Sequence, residues 1–450
     1  MGRLSPRVII AAGAALAAAW VLSNLGLPLV EDSLFWWVPK GLIAAEQGFT
    51  LALSGDLPST MHTGTLATAT VPQWSDGLPD YAHPPLWYWW LGLFLRVSPT
   101  IEMVHLACLV PAMAAGAGFA ALGIRLGKPL SGMVVFALPP FLAQLLRPEL
   151  DLPLLGVLPW ALLALLDRRW NRFALLGALA TLFKEPGVLL VVPAAVVALN
   201  ERRVRWQVLA PLLALLAWGW VNGWLAKPER LPSGFLPWIE DLGTVLRIFF
   251  LEQGRWLLLA GLPLLWRERA LGALVIAWVG FFATVGFFAN RGTLDTFTHV
   301  RYLLPGIALA AVVLAGRWPW LALAGLIWLR AASPFGPEAS LHGTDVARSG
   351  QSAAPWIRAQ IDAGETVWVG THLAAGLTQP WAGMVEDPVA GIRVYSIATQ
   401  AEEVTAGSIL IAASYGEPTG ALTAGRSSVE LARWTHGEGA VVAHRLGAGP

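Results

Sequence analysis

The sequence predicts a polytopic α-helical membrane protein of about eleven spans, followed by a small α/β domain outside the cytoplasm. Three observations lead there. Hydrophobic residues make up 56% of the chain and charged residues 13%, with a mean hydropathy of +0.59, well beyond the apolar share of a soluble domain. The apolar residues come in long runs separated by loops that carry Arg and Lys. From about residue 333 the runs shrink to strand length and Gly, Ser, Thr and charges return.

Composition also excludes. A net charge of +1, with no basic stripe interleaved with aromatics, leaves no nucleic-acid partner. A single cysteine, Cys108, rules out an intramolecular disulfide and a multi-cysteine metal site, and its apolar surroundings predict that it packs. The 24 tryptophans fall largely near the ends of apolar runs, where a membrane interface favours them.

Taken in order, Arg3 and Arg7 precede an apolar stretch over 8–28, long enough to cross a bilayer and without a small-x-small cleavage site after it, so it reads as a retained first span. It delivers Glu31 and Asp32 to the outer surface and opens a large first outer loop, 29–100. The aromatic segment 84–97 is short for a span. Were it to cross, every later basic loop would be inverted, so it is laid along the outer interface. Runs 101–124, 130–146, 152–166, 173–183, 187–199 and 204–226 then cross in alternation. They put Arg125, Lys128, Asp167-Arg168-Arg169 and Glu201-Arg202-Arg203 on the cytoplasmic side. The two short runs flanking Lys184 predict a break there that holds the lysine below the outer surface. A second outer loop, 227–253, precedes runs 256–266, 271–289, 302–315 and 318–328. The odd count leaves the N-terminus in the cytoplasm and the C-terminal domain outside.

The chain therefore divides into a transmembrane domain, 1–332, and an outer α/β domain, 333–450. In the latter, 366–370, 392–396, 408–412 and 440–444 read as strands, and 353–363 as a helix ending at Gly364. It contains neither G-x-G-x-x-G nor a P-loop, so no nucleotide is assigned to it, and no internal repeat is present.

Ionisable residues gather at the outer ends of the spans: Glu31, Asp32, His83, Arg147, Glu149, Asp151, Lys184, Glu185 and Arg301. One charge at bilayer depth costs about 2.5 to 3.5 kcal/mol, so such groups face a wet cavity or a partner. Each has a plain reading beside a chemical one. The acidic pair Glu31-Asp32 marks a solvated helix end, or, held at the interface by Phe35-Trp36-Trp37, supplies a general base. His83 before Pro84-Pro85 starts a helix, or donates to a phosphate or sugar oxygen. Arg147, Glu149 and Asp151 neutralise one another, or bind substrate. Lys184-Glu185 is a buried ion pair or part of the same site, and Arg301-Tyr302 an interfacial anchor or a substrate contact. Glu31, Asp32, Glu149 and Asp151 are also hard oxygen ligands suited to a divalent cation, Mg or Mn, although no ligand spacing specifies one.

Five motifs in this order resemble the C-type integral-membrane glycosyltransferases (GT-C fold). They are the acidic pair after the first span, His83-Pro-Pro-Leu-Trp-Tyr-Trp-Trp-Leu, Arg147-Pro-Glu-Leu-Asp151-Leu-Pro-Leu, Lys184-Glu-Pro-Gly-Val-Leu-Leu and Arg301-Tyr-Leu-Leu-Pro305. The branch most similar holds the protein O-mannosyltransferases and the lipid A aminoarabinose transferases. The resemblance covers 1 to about 330. It implies a sugar donor on a polyprenyl phosphate, an acceptor that is a lipid, glycan or protein outside the cytoplasm, inversion at the anomeric carbon, and residence in the bacterial inner (plasma) membrane. It also implies roles. The first acid of the pair, commonly Asp in the family and here Glu31 followed by Asp32, acts at the active site. Asp151 matches a further catalytic acid, and His83, Arg147, Lys184 and Arg301 match positions that contact phosphate or sugar; Glu149, Glu185 and Tyr302 beside them are taken as substrate-binding residues too. The rival reading is a transporter or flippase of lipid-linked sugars. Paired halves with matching broken segments would favour it, and the sequence has no such symmetry.

Overall fold

The computed structural model describes residues 5–30, 33–49, 83–221, 259, 261–284, 300–320, 323, 342–395, 404–414, 426–437 and 439–447. The acidic pair Glu31-Asp32, residues 50–82 of the first outer loop and the second outer loop lie outside them. The chain forms two compact units. The first comprises Met1–Ser23, Leu78–Trp87 and Cys108–Ser340, and the second Asn24–Gly77, Tyr88–Ala107 and Leu341–Pro450.

The first unit is helical. Its described helices are α1 (Pro6–Leu22), α4 (Ile101–Arg125, which begins in the second unit), α5 (Pro139–Leu146), α6 (Asp151–Leu166), α7 (Trp170–Phe183), α8 (Val191–Asn200), α9 (Ala210–Val221), α10 (Gly261–Arg267), α11 (Arg269–Thr284) and α12 (Val300–Arg317). Among the described residues α4 alone is long and apolar enough to span a membrane by itself. The pair α5 and α6 passes only when taken together, and it is bent by 115°. The apolar stretches Pro6–Leu22, Leu86–Leu95, Glu185–Asn200, Trp206–Val221, Arg269–Phe282 and Tyr302–Arg317 each have 10 to 17 residues.

Their shortness has a local cause. Three apolar runs open with tight 3-10 turns, Ser131–Ala137, Glu185–Leu190 and Trp206–Leu209, before becoming α-helical close to Pro139, Pro193 and Pro211. A 3-10 turn rises further per residue than an α-helix, so Glu185 to Asn200 covers about 27 Å, near the thickness of a hydrocarbon core. Proline also shapes α4. Pro111 cannot donate to the carbonyl four residues earlier, and that carbonyl, of Ala107, instead accepts the Trp90 indole N–H at 2.8 Å. On α1 and α4, Gly13 and Gly116 bring the two backbones together so closely that a Cβ on either would strike the other's backbone.

The basic loops of this unit meet at one end. Arg125 Nε lies 2.7 Å from Asp167 Oδ1, Arg168 pairs with Glu201, and Arg317 Nη2 lies 2.6 Å from Glu268 Oε1. Arg269 reaches the Asn200 amide oxygen at 3.5 Å. These contacts join the ends that the alternation of runs expects on one side.

The second unit carries α2 (Val38–Gln47), most of α3 (Leu86–Leu95), α13 (His342–Asp362), α14 (Thr371–Thr378) and a five-stranded sheet. The strands are β1 (Val367–Gly370), β2 (Arg393–Tyr395), β3 (Ile409–Ala413), β4 (Ser428–His436) and β5 (Gly439–Leu446), in the order β2-β1-β3-β5-β4. β1 is parallel to β2 and β3, and β5 is antiparallel to β3 and β4. The central strands β1 and β3 are buried on both faces. Val367, Val369, Ile409 and Ile411 enter one core with Ile357 and Leu373, and Trp368, Leu410 and Tyr395 enter another. Four strands fall where the sequence expects them, whereas β4 was not foreseen and α13 begins 11 residues before the expected helix start at 353. β4 is an edge strand, mostly exposed, and a bulge between Glu430 and Ala432 breaks the two-residue alternation that marks a strand.

Candidate active site

Helix ends of the first unit bring together seven of the residues singled out in the sequence. α5 stops at Leu146, and the chain turns through Arg147-Pro148-Glu149-Leu150 into α6, which Asp151 opens. An acid in the first turn suits the positive end of the helix dipole. α7 ends at Phe183, Lys184 is extended (φ −155°, ψ 135°), and a 3-10 turn begins at Glu185, which is the break expected from the two short runs. The turn folds tightly on α7: a Cβ at Gly187 would collide with the backbone of Ala180 and Thr181.

The side chains then interlock. Lys184 Nζ lies 2.5 Å from Asp151 Oδ1 and 4.5 Å from the centre of the Tyr302 ring at the start of α12. Both charged residues are buried, Lys184 to 6% and Asp151 to 4% exposure. Tyr302 is itself placed from α11, where the Trp278 indole donates to its carbonyl at 2.7 Å. His83 Nδ1 is 3.0 Å from each carboxylate oxygen of Glu185. Glu149, 1% exposed, has Arg147 Nη1 at 3.9 Å and the Gln144 amide Nε2, which donates to its Oε2 at 3.4 Å. The Trp87 indole donates to the Pro148 carbonyl at 2.8 Å, tying the first turn of α3 to the corner between α5 and α6.

These links close a ring. From Trp87 the contacts pass to Pro148, along the chain to Asp151, across to Lys184, along the chain to Glu185, and across to His83, four residues before Trp87. The chemistry is that of fixed ion pairs in an apolar unit, whose nitrogens on Lys184, Arg147 and His83 offer donors to a phosphate or another anion. α6, α7 and α12 each run from this ring to the basic loops, a separation of about 20 to 25 Å at the rise of an α-helix.

Of the other expected residues, Glu31 and Asp32 lie outside the described residues. Arg301 lies in the first turn of α12. Glu149 and Asp151, half of the carboxylate set proposed for Mg or Mn, are engaged by Arg147, Gln144 and Lys184. Among the described residues no group of three or more His, Cys, Asp or Glu is placed to hold a metal. Gln144 and Trp278 were not singled out from the sequence, and Trp87 stood only within the aromatic motif that follows His83. A lone amide in the run Pro-Pro-Phe-Leu-Ala-Gln144-Leu-Leu was the available signal for the first, whereas the tryptophans are lost among 24.

No protein-family profile and no curated protein sequence matches the chain. Among solved structures it is similar to ArnT from Cupriavidus metallidurans bound to undecaprenyl phosphate, with 14% identity, a TM-score of 0.52 and 97% of each chain covered. The apo state of ArnT from the same organism matches over 96% of this chain and 97% of that one, at 15% identity and a TM-score of 0.46. The chain has the C-type glycosyltransferase fold. The similarity to the lipid-bound ArnT extends through both units, including the C-terminal sheet domain, for which the sequence motifs made no specific case.

Proposed function

We propose that this chain is an integral-membrane glycosyltransferase that moves a sugar from a polyprenyl-phosphate donor to a lipid, glycan or protein acceptor on the extracytoplasmic face. The observation that carries this reading is the ring built on Asp151, Lys184, Glu185 and His83, two ion pairs of which Lys184 and Asp151 are buried, in a unit of that fold. The ArnT structure bound to undecaprenyl phosphate supports a lipid phosphate as the occupant.

In the proposed reaction the acceptor hydroxyl oxygen attacks the anomeric carbon and its proton passes to Glu31 or Asp32. The bond from that carbon to the phosphate oxygen breaks, its electron pair leaves with the polyprenyl phosphate, and the anomeric carbon is inverted. A phosphate leaving group needs its charge stabilised more than it needs a proton, which fixed cations in a water-poor site supply. Lys184, Arg147, His83 and Arg301 fill that role. Glu185 orients His83, Glu149 orients Arg147, and Tyr302 caps the lysine. Asp151, paired with Lys184, is better suited to hold that lysine than to take a proton. Any divalent cation is proposed only for the carboxylates of the first outer loop, and transfer measured with EDTA and with added Mg or Mn tests it.

The proposed topology keeps about eleven crossings, the N-terminus and basic loops in the cytoplasm, and the C-terminal domain outside the bacterial inner membrane. The test is sugar transfer in vesicles, from radiolabelled undecaprenyl-phosphate mannose and undecaprenyl-phosphate aminoarabinose to an envelope extract. The Glu31→Gln/Asp32→Asn double variant is run beside the unmodified chain. Transfer that the variant loses is the expected result. Lipid-linked sugar crossing the bilayer without transfer, in both proteins, overturns the reading in favour of a flippase.

A further inference from the structure

At the end of the first unit opposite the ring, three helices finish alike. After α4 the Lys128 amide donates to the Gly123 carbonyl at 3.0 Å and the Gly127 amide to that of Ile124 at 2.9 Å. After α6 the Arg169 amide donates to Ala164 at 2.8 Å and the Arg168 amide to Leu165 at 3.0 Å. After α8 the Arg203 amide donates to Ala198 at 3.2 Å and the Arg202 amide to Leu199 at 3.0 Å. Each is a Schellman turn, whose hinge residue sits in the left-handed region. Glycine adopts that conformation without penalty, as Gly127 does (φ 76°). The other two hinges are Arg168 (φ 60°) and Arg202 (φ 50°), the only non-glycines with positive φ among the described residues, and there a side chain costs free energy.

Arg168 has a partner that accounts for its position. Its guanidinium pairs with Glu201 and so ties the α6–α7 loop to the α8–α9 loop, beside a second tie from Gln207 Nε2 to Asn171 Oδ1 at 3.0 Å. Arg202 has none. Its side chain is exposed and meets no acceptor among the described residues. A residue held in a costly conformation without a partner in the fold points to a partner outside it.

The surroundings indicate what that partner is. The acids described at this end are Asp167, Glu201 and Glu268. All are taken, by Arg125, by Arg168 and Arg205, and by Arg317 respectively. Lys128, Arg169, Arg172, Arg202, Arg203 and Arg267 are left exposed, with no carboxylate partner among the described residues. Helix carbonyl ends favour nearby cations, yet a surplus of this size repels itself unless anions cover it. Trp206 and Trp266 stand exposed beside Arg205 and Arg267, and Trp318 and Trp320 close to Arg317. Exposed indoles among cations suit the headgroup level of a membrane.

We infer that this end of the first unit binds the headgroups of anionic phospholipids, with Arg169, Arg202 and Arg203, on the paired turns after α6 and α8, at the centre of the site. Phosphodiester oxygens accept from guanidinium N–H groups, and near an anionic leaflet each such cation adds to binding. The inference rests on the chain lying in a membrane and not on the transfer reaction.

The full chain, purified in an uncharged detergent, is titrated with fluorescent phosphatidylglycerol and with fluorescent phosphatidylcholine. A lower apparent Kd for phosphatidylglycerol is expected, and equal affinity for the two overturns the inference. Arg169→Gln/Arg202→Gln/Arg203→Gln is expected to weaken phosphatidylglycerol about ten- to a hundredfold and to leave phosphatidylcholine unchanged. An equal loss of charge in the second unit, Arg96→Gln/Arg358→Gln/Arg433→Gln, is expected to change neither. Unaltered binding by the first variant, or a matching loss in the second, overturns the site. Displacement of the lipid by equimolar inorganic phosphate overturns the headgroup in favour of free phosphate. Arg202→Gly gives a readout that a merely structural arginine would not: the thermal midpoint without lipid is expected to rise, because glycine suits the turn, while affinity for phosphatidylglycerol falls. A midpoint that falls or stays level overturns the argument from Arg202. No transfer is measured, so failure of the glycosyltransferase reading leaves every one of these outcomes decisive.

Discussion

Lys184 and Asp151, 33 positions apart, meet at 2.5 Å with the Tyr302 ring closing over the lysine. Removing one member strands the other's charge in an apolar unit, at a cost of about 3 to 5 kcal/mol. Lys184→Met and Asp151→Asn are therefore each expected to lower the thermal midpoint of the purified protein. The double variant Asp151→Leu/Lys184→Met is expected to regain most of that stability but no transfer. Differential scanning fluorimetry read beside the transfer assay checks both halves.

His83 faces both oxygens of Glu185, so its ring is held by a charged acceptor. If His83 contacts the donor phosphate, His83→Ala removes a charged-group hydrogen bond of about 1.5 to 3 kcal/mol and raises KM for the lipid donor by about ten- to a hundredfold. Glu185→Gln is expected to give a smaller rise, because the imidazole remains and loses only its fixed orientation. Donor titrations in detergent or vesicles distinguish the two.

Gly187 folds against backbone rather than against a side chain that could step aside. Gly187→Ala is expected to cost about 1 to 3 kcal/mol and to displace Lys184, which lies three residues earlier. A loss of transfer larger than the loss of folded protein, measured at a temperature well below the midpoint, is the expected signature.

Topology is open to a direct check. In a Cys108→Ala background, Val97→Cys is expected to react with an impermeant maleimide from the outer face and Arg168→Cys only from the cytoplasmic face. Both positions are exposed. Reaction of both from one face overturns the assigned alternation.

The sequence made much of this legible, and the reasons are physical. Charges inside apolar runs are costly, so Arg147, Glu149, Asp151, Lys184 and Glu185 stand out, and the structure puts them together with His83 and Tyr302. The break at Lys184 could be read because two runs on either side were each too short. What could not be read is partnership. Nothing in the spacing says that Asp151 pairs with Lys184 and Glu185 with His83, since both contacts join segments distant in sequence. Nor could the 3-10 turns ahead of Pro139, Pro193 and Pro211 be seen in hydropathy, which counts residues and not rise. β4 escaped because its bulge breaks the alternation.

The ring through Trp87, Pro148, Asp151, Lys184, Glu185 and His83 also has an evolutionary consequence. In a closed loop every member is tethered from two directions, so the loss of one clasp turns the loop into a chain and does not scatter it. A lineage can exchange one fastening at a time while the others hold the arrangement. Such redundancy lets sequences drift far apart around a preserved backbone.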